Sequence, residues 1–107
     1  MKADITELLL IFDELMPPTN EELGIYWLKK IREDGLIITF AFSIYESYVD
    51  VIIHNKSRID IASVSLKKCS EIRILDSNSK CLEVIHSNGN GRCFMSLSGS
   101  PILDYCE

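Results

Sequence analysis

Two histidines and two basic side chains are the residues of this chain whose types could support catalysis without a metal. His54 and His86 could serve as general acid and general base, while Lys56 or Arg92 steadies a phosphate group. That chemistry is the chemistry of a metal-free ribonuclease. The acidic composition argues against it, because a protein that acts on nucleic acid needs a basic face. The ribonuclease is therefore kept only as a remote alternative.

The four cysteines are the next candidates, either as metal ligands or as disulfides. Cys69, Cys81, Cys93 and Cys106 are twelve or thirteen residues apart, so no two form the Cys-x-x-Cys pair that is typical of zinc sites. In a cytosolic chain the thiols stay reduced. We interpret most of them as small apolar side chains in or near strands. The sequence predicts no metal and no cofactor.

The usual local signatures of enzymes are absent from the sequence. There is no Gly-x-x-x-x-Gly-Lys phosphate loop and no Gly-x-Ser-x-Gly nucleophile elbow. The glycine-rich stretch 88–91 precedes no helical pattern, so we interpret it as a hairpin turn. Neighbouring carboxylates at 13–14, 21–22 and 33–34 point apart on a helix or a strand, and they do not form an acid–base couple. We predict no catalytic residues and no enzyme.

The negative charge of the chain is concentrated at its beginning. Residues 1–23 contain six acidic side chains and one lysine, so this segment carries the whole net charge of −5. Residues 24–107 contain ten side chains of each sign. The distribution permits a basic partner or simply a solvated helix face. No apolar run reaches membrane-spanning length and no signal peptide is indicated, so we expect a cytoplasmic chain.

The elements that position these side chains begin with a predicted helix. Residues 4–7 have the form of a capping box, and apolar side chains then recur at helical spacing at Ile5, Leu8, Leu9, Phe12 and Leu15. The Met16-Pro17-Pro18 sequence ends this helix. Residues 19–22 indicate a short helical turn. Residues 25–32 fit either a second helix or a strand, and the strand is slightly favoured.

From residue 35 onward the apolar period changes to two, which is typical of strands. The pattern predicts strands over 36–44, 48–54, 58–66 with a bulge near 62–63, 72–75, 81–86, 92–97 and 102–105. We therefore predict an α+β fold, with an N-terminal helix before an antiparallel meander of about six strands in a curved sheet, small barrel or sandwich. The chain is expected to be a single domain (1–107), with an acidic helical segment (1–23) and a β-rich body (24–107).

One family resemblance covers about two thirds of the chain, from Gly35 to Tyr105. It is carried by the segments GLII at 35–38, SIYESYV at 43–49, IASVSL at 61–66, IRI at 72–74, CLEVIH at 81–86 and RCFMSL at 92–97. In layout, size and charge this stretch resembles the small β-rich immunity proteins of bacterial contact-dependent growth inhibition and related polymorphic toxin systems. The resemblance has no diagnostic motif, so no functional residue is carried over by position.

The resemblance implies a cytoplasmic antitoxin that binds the toxin domain of a neighbouring cell and blocks its active site. Many such toxins are basic nucleases, and an acidic binder presents carboxylates where phosphates would lie. Tyrosines are favoured interface anchors, so the turn at 45–50 is a second candidate surface beside the acidic segment. The candidate partner-binding residues are Asp13, Glu14, Glu21, Glu22, Tyr45, Glu46, Tyr48 and Asp50.

The expected partner is thus a protein toxin, with no direct contact to nucleic acid or membrane, and the chain itself is expected to be a monomer or a weak homodimer. A different class of function is also open. The chain could be a structural or adaptor module of a larger bacterial assembly that offers an exposed strand edge. The gene directly upstream would distinguish the two classes, because an immunity gene should follow a large secreted toxin gene.

Overall fold

The computed structural model describes residues 1–57, 59–87 and 91–106, and in this part the chain is nearly all β. Nine strands form two antiparallel sheets, and the helical structure is limited to one α-turn and one 3-10 turn. The predicted α+β fold, with a helix before a single meander, is therefore wrong. The strands themselves agree with the period-two pattern from which they were predicted.

The first sheet has five strands, and their spatial order follows the chain. They are β1 (Glu14–Leu15), β2 (Ile25–Ile31), β3 (Ile37–Ser43), β4 (Tyr48–His54) and β5 (Asp60–Leu66). Residues 25–31 are thus a strand, as the sequence slightly favoured, and the 3-10 turn Glu21–Leu23 leads into it. Arg58, with which the predicted strand 58–66 begins, lies outside the described residues. The bulge falls at Ile61, just before the predicted place, because Ile53 pairs with Ala62 and His54 with Asp60.

The second sheet has four strands, again in chain order: β6 (Cys69–Asp76), β7 (Cys81–His86), β8 (Arg92–Ser96) and β9 (Leu103–Cys106). Two residues, Lys67 and Lys68, connect the sheets. The chain start pairs with the edge of β6, where the Lys2 amide donates to the Ser70 carbonyl and the Ile72 amide to the Lys2 carbonyl, both at 2.9 Å. Positions 88–90 of the predicted hairpin turn lie outside the described residues.

A single hydrophobic cluster receives side chains from both sheets. Strand β3 crosses its centre, and there Ile38, Phe40 and Phe42 have no exposed surface. The second sheet adds Ile72, Leu82, Val84 and Met95 from its inner face. Aromatic rings pack within the cluster, with the centroids of Phe40 and Phe42 5.9 Å apart. This core fixes the register of both sheets, since a shift of one residue would turn every buried side chain outward.

The predicted N-terminal helix is a single turn, Ile5–Leu8. Its start agrees with the capping pattern, because the Asp4 carboxylate accepts from the amides of Thr6 and Glu7 at 3.0 and 3.2 Å. The helix cannot continue to residue 15, because the chain from Asp13 onward pairs with β2: the Asp13 amide donates to the Lys29 carbonyl at 2.8 Å. Sheet pairing here outweighs the helical period. No helix in the described ranges is long and apolar enough to cross a membrane.

Candidate protein-binding surface

The turn between β3 and β4 holds the predicted aromatic residues in a defined shape. The buried Ser43 hydroxyl accepts the Glu46 amide at 3.1 Å, and the Ser47 amide donates to the Ser43 carbonyl at 2.9 Å. Ser47 takes a left-handed conformation with φ of 57°. The side chain of Tyr45 is 73% exposed at the tip of this turn. The turn therefore presents a large ring to solvent from a backbone that is fixed by hydrogen bonds.

A groove of about 770 Å³ begins at this turn. It lies where β4 starts and β5 ends, since Asp50 on β4 pairs with Ser65 on β5. The connection between the sheets closes its other side, and there the Ser87 amide donates to the Lys68 carbonyl at 2.7 Å. The residues that line the groove are Glu46, Ser47, Tyr48, Asp50, Ser65, Lys67, Lys68 and Ser87. Three of the predicted partner-binding residues thus share one concave surface.

Charges of both signs line this groove. Glu46 and Asp50 lie on its β4 side, and Lys67 and Lys68 lie on the side of the inter-sheet connection. Partial burial raises the pKa of the Tyr48 phenol, and the carboxylates of Asp50 and Glu46 raise it further. Tyr48 therefore stays protonated at neutral pH and can donate a hydrogen bond to a partner.

The acidic turn at 21–22 packs beside the same end of the sheet. The Asn20 side chain caps the start of the turn, where it accepts a hydrogen bond from the Leu23 amide at 3.3 Å. Gly24 ends the turn in a left-handed conformation with φ of 66°. The Ile44 amide then donates to the Gly24 carbonyl at 2.9 Å. A Cβ atom on Gly24 would lie 3.0 Å from the Tyr45 ring, so the two segments are in contact. We call this surface the acidic end, and it comprises Glu21, Glu22, Tyr45, Glu46, Tyr48 and Asp50.

Asp13 and Glu14 do not join the acidic end. They lie at the other end of β2, whose seven residues span about 20 Å. The Asp13 carboxylate accepts the Ile31 amide at 2.7 Å and lies 3.3 Å from the Lys30 ammonium. Burial alone would raise the pKa of Asp13, but these two partners outweigh it and hold the pKa below its usual value. Glu14 lies 3.7 Å from the Lys29 ammonium.

The histidines of the ribonuclease alternative are not brought together. His86 pairs with Cys69, whose amide donates to the Ser47 carbonyl just before β4 begins. His54 is the last residue of β4, and that strand is about 20 Å long. The two imidazoles therefore cannot act on one phosphate, because both would have to lie within hydrogen-bond reach of it.

Cys69 and Cys93 behave as packing residues, whereas the half-buried thiol of Cys81 lies 3.4 Å from the Ser79 hydroxyl. Cys69 and Cys93 are buried, and burial together with the neighbouring Cys93 raises the pKa of the Cys69 thiol to about 11. A thiol with such a pKa is inert at neutral pH. No group of three metal-ligating side chains occurs within residues 1–57, 59–87 and 91–106. The side chain of Cys106 lies outside the described part.

One ionic cluster was missed in the sequence. The Glu83 carboxylate on β7 is 1% exposed, with Arg73 Nη2 2.9 Å from Oε1 and Arg92 Nε 2.9 Å from Oε2. The first contact is a hydrogen bond, whereas the second is an ion pair without hydrogen-bond geometry. The signal was an acidic residue between apolar neighbours on β7, with Arg73 directly opposite it on β6 and Arg92 at the diagonal position on β8, opposite Ile85.

Comparisons with known proteins test the fold directly. Neither the protein-family models nor the curated proteins give a match to this sequence. Among solved structures, the chain is similar to a chain of the contact-dependent growth inhibition toxin–immunity protein complex from Klebsiella pneumoniae 342. The TM-score is 0.74 at 15% sequence identity, and the match covers 98% of this chain and 93% of the other.

The two chains share a fold. The resemblance to contact-dependent growth inhibition proteins that the sequence suggested is thereby confirmed at the level of the fold. The nearly all-β architecture, rather than the predicted α+β layout, is what this chain has in common with its structural neighbour.

Proposed function

We propose that this chain is an immunity protein, which binds and neutralises the toxin domain of a contact-dependent growth inhibition system in the cytoplasm. The observation that carries the proposal is the shared fold with a chain of a toxin–immunity protein complex over 98% of this chain. The acidic composition supports the role of inhibitor over that of toxin, since a nuclease toxin needs a basic face for its substrate. The separation of His54 and His86 supports it as well.

The acidic end is the surface that we assign to the toxin. It combines the exposed ring of Tyr45 with the carboxylates of Glu21, Glu22 and Glu46. A rigid aromatic side chain within a ring of charges is typical of an interface anchor. Carboxylates at this position would occupy the phosphate-binding sites of a basic nuclease and would also accelerate its association with the inhibitor. We propose further that the toxin is a basic nuclease.

Co-expression tests the role. We expect the gene directly upstream to encode a large secreted protein, and its C-terminal domain is expressed in a bacterial host with and without this chain. We expect growth arrest without the chain, rescue with it, and a complex of the two proteins on a sizing column. A toxin domain from an unrelated system is the control, and this chain should not rescue cells from it. Arrest that persists despite abundant folded chain would contradict the proposal.

A further inference from the structure

Strand β5 is the edge of the first sheet, and its outer side is uncovered in the described part of the chain. Only β4 pairs with it, so alternate amides and carbonyls over Asp60–Leu66 point to solvent. Four consecutive residues from Asp60 are exposed on both faces of the strand. Ile61 is one of these four and is 58% exposed, and Ile59, just before the strand, is 62% exposed. This edge is therefore ready to pair with another strand.

The other described edges are shorter or already covered. Strand β1 has two residues, β9 has four, and the edge of β6 is partly occupied by the backbone of Lys2. Proteins usually protect a long edge with a proline or a lysine in its middle. Strand β5 has neither between Asp60 and Leu66. Its bulge at Ile61 lies at one end and leaves the remaining residues regular.

The charges of β5 identify the strand that fits it. Asp60 begins the strand, and Lys67 and Lys68 follow its last residue. None of these three takes part in an ion pair among the described residues. When a second copy of β5 runs antiparallel to the first, Asp60 of each strand lies beside Lys67 and Lys68 of the other. A parallel copy would instead place like charges together.

The pairing register follows from the faces of the strand. A two-fold axis perpendicular to the sheet places inward side chains opposite inward side chains. When this axis passes through the position of Val64, Ala62 of each copy lies opposite Leu66 of the other. Because the bulge at Ile61 takes up one residue, Asp60 then lies opposite Lys67. In this arrangement the free backbone groups of the two strands can hydrogen-bond to each other and the inward side chains face each other. Each Asp60 also lies opposite a Lys67.

We propose that β5 is a self-association surface, at which two copies of this chain pair antiparallel to form one continuous ten-stranded sheet. The inference goes beyond the toxin-binding role and does not depend on it. The interface is small, so the dimer dissociates in the micromolar range and weakens as salt screens its two ion pairs.

Sedimentation equilibrium from about 1 µM to about 200 µM tests the proposal with a charge exchange. We expect wild type to dimerise, and the variants D60K and K67D/K68D each to raise the dissociation constant at least about tenfold. An equimolar mixture of the two variants should form a heterodimer, since each supplies the charge that the other lacks. The triple variant D60K/K67D/K68D should again form a homodimer.

A matched control carries the same change of charge at the edge of the other sheet. Asp104 is exposed on β9, so D104K should leave the dimer unchanged. Circular dichroism and thermal unfolding confirm that each variant is folded. A monomeric wild type over the whole concentration range overturns the proposal. So does a dimer that D60K leaves intact, or one in which the mixture of variants fails to associate.

Discussion

Gly24 links the shape of one turn to the exposed ring beside it. Its φ of 66° is strained for any other residue, and a Cβ atom there would lie 3.0 Å from Tyr45. Gly35 is also left-handed, with φ of 88°, but nothing lies within 4 Å of its Cβ position. A comparison of substitutions at Gly24 and Gly35 therefore distinguishes the effect of backbone strain from the effect of contact with the proposed interface.

We predict that G24A and G35A each lower the free energy of unfolding by about 1 kcal/mol, because both force alanine into the left-handed region. Only G24A should also weaken toxin binding, because it displaces the Tyr45 ring. Urea unfolding and surface plasmon resonance measure the two effects. Equal toxin affinities for G24A and G35A would remove Tyr45 from the interface.

Asp13 gives the fold a dependence on pH. Its pKa is lowered from the usual 3.8 by the Ile31 amide and Lys30, which outweigh the opposing effect of burial. The ionised carboxylate therefore stabilises the fold at every pH above the unfolded pKa, and this contribution is lost as the pH falls through the folded pKa.

We predict that D13N lowers the free energy of unfolding by about 0.5–1 kcal/mol at pH 7, a modest value because the side chain is partly exposed. The difference between D13N and wild type should shrink as the pH falls below the unfolded pKa and vanish once the pH lies below the lowered pKa of the folded state. Chemical unfolding at a series of pH values measures it. Glu14→Gln is the control, since its 3.7 Å pair should contribute little at any pH. A constant effect of D13N across the range would contradict the assignment.

At the scale of the element, strand β7 carries a buried charge on the outer face of its sheet. Glu83 is almost fully buried, whereas the side chains of Arg73 and Arg92 are about half exposed. Without Glu83 the arginines can be solvated again, but without the arginines the carboxylate remains buried and unpaired. The two halves of the cluster should therefore respond differently to mutation.

We predict that E83Q costs about 1–2 kcal/mol of stability and that R73A/R92A costs about 3–5 kcal/mol. Urea unfolding at neutral pH measures both. R73A alone should fall between the two, because Arg92 still faces the carboxylate. An arginine double variant as stable as E83Q would show that water reaches Glu83, contrary to its burial in this structure.

Strands could be predicted from this sequence better than helices, and the reason is local. The apolar alternation from residue 36 onward predicts strands, and β3, β4 and β7 lie where it places them. Strand β4 alternates between buried and half-buried residues, whereas β3 is buried on both faces. The helical spacing of Ile5, Leu8 and Phe12 only requires that these side chains reach the core. One turn achieves that, and pairing of Asp13 with β2 then decides the backbone.

The candidate surface was predictable in part for a related reason. Residues 45–50 are close in sequence, so a turn signal alone keeps them together. Whether Glu14 or Glu21 joins them depends on the path of the chain around β2, which no local pattern contains. The Glu83 cluster likewise depends on three strands whose register is set by the core.

At the scale of the whole molecule, four of the six acidic residues of the first 23 positions are divided between opposite ends of the first sheet. Glu21 and Glu22 belong to the acidic end, while Glu14 lies with Lys29 far from it. Two double charge reversals with the same net charge therefore probe different ends of one protein.

We predict that E21K/E22K slows association with the toxin about tenfold at low salt and reduces the salt dependence of the on-rate, because the variant loses its steering charges. E14K/E33K carries the same change in net charge at the far end, where Glu33 is exposed beyond β2, and should change the on-rate much less. Stopped-flow measurements at several salt concentrations compare them. A larger effect of E14K/E33K would move the interface to the other end.

In both sheets the spatial order of the strands follows the chain, and this affects the order in which the strands can pair during synthesis. Within each sheet, every strand after the first pairs with the one made just before it, so a pair can close as soon as its second strand leaves the ribosome. The first five strands can be in register while the last four are still being synthesised. Lys2 must wait, because its partner strand β6 begins more than sixty residues later. Newly made molecules should therefore acquire the turn and ring of the acidic end before synthesis is complete, whereas Lys2 can pair only after β6 has been made.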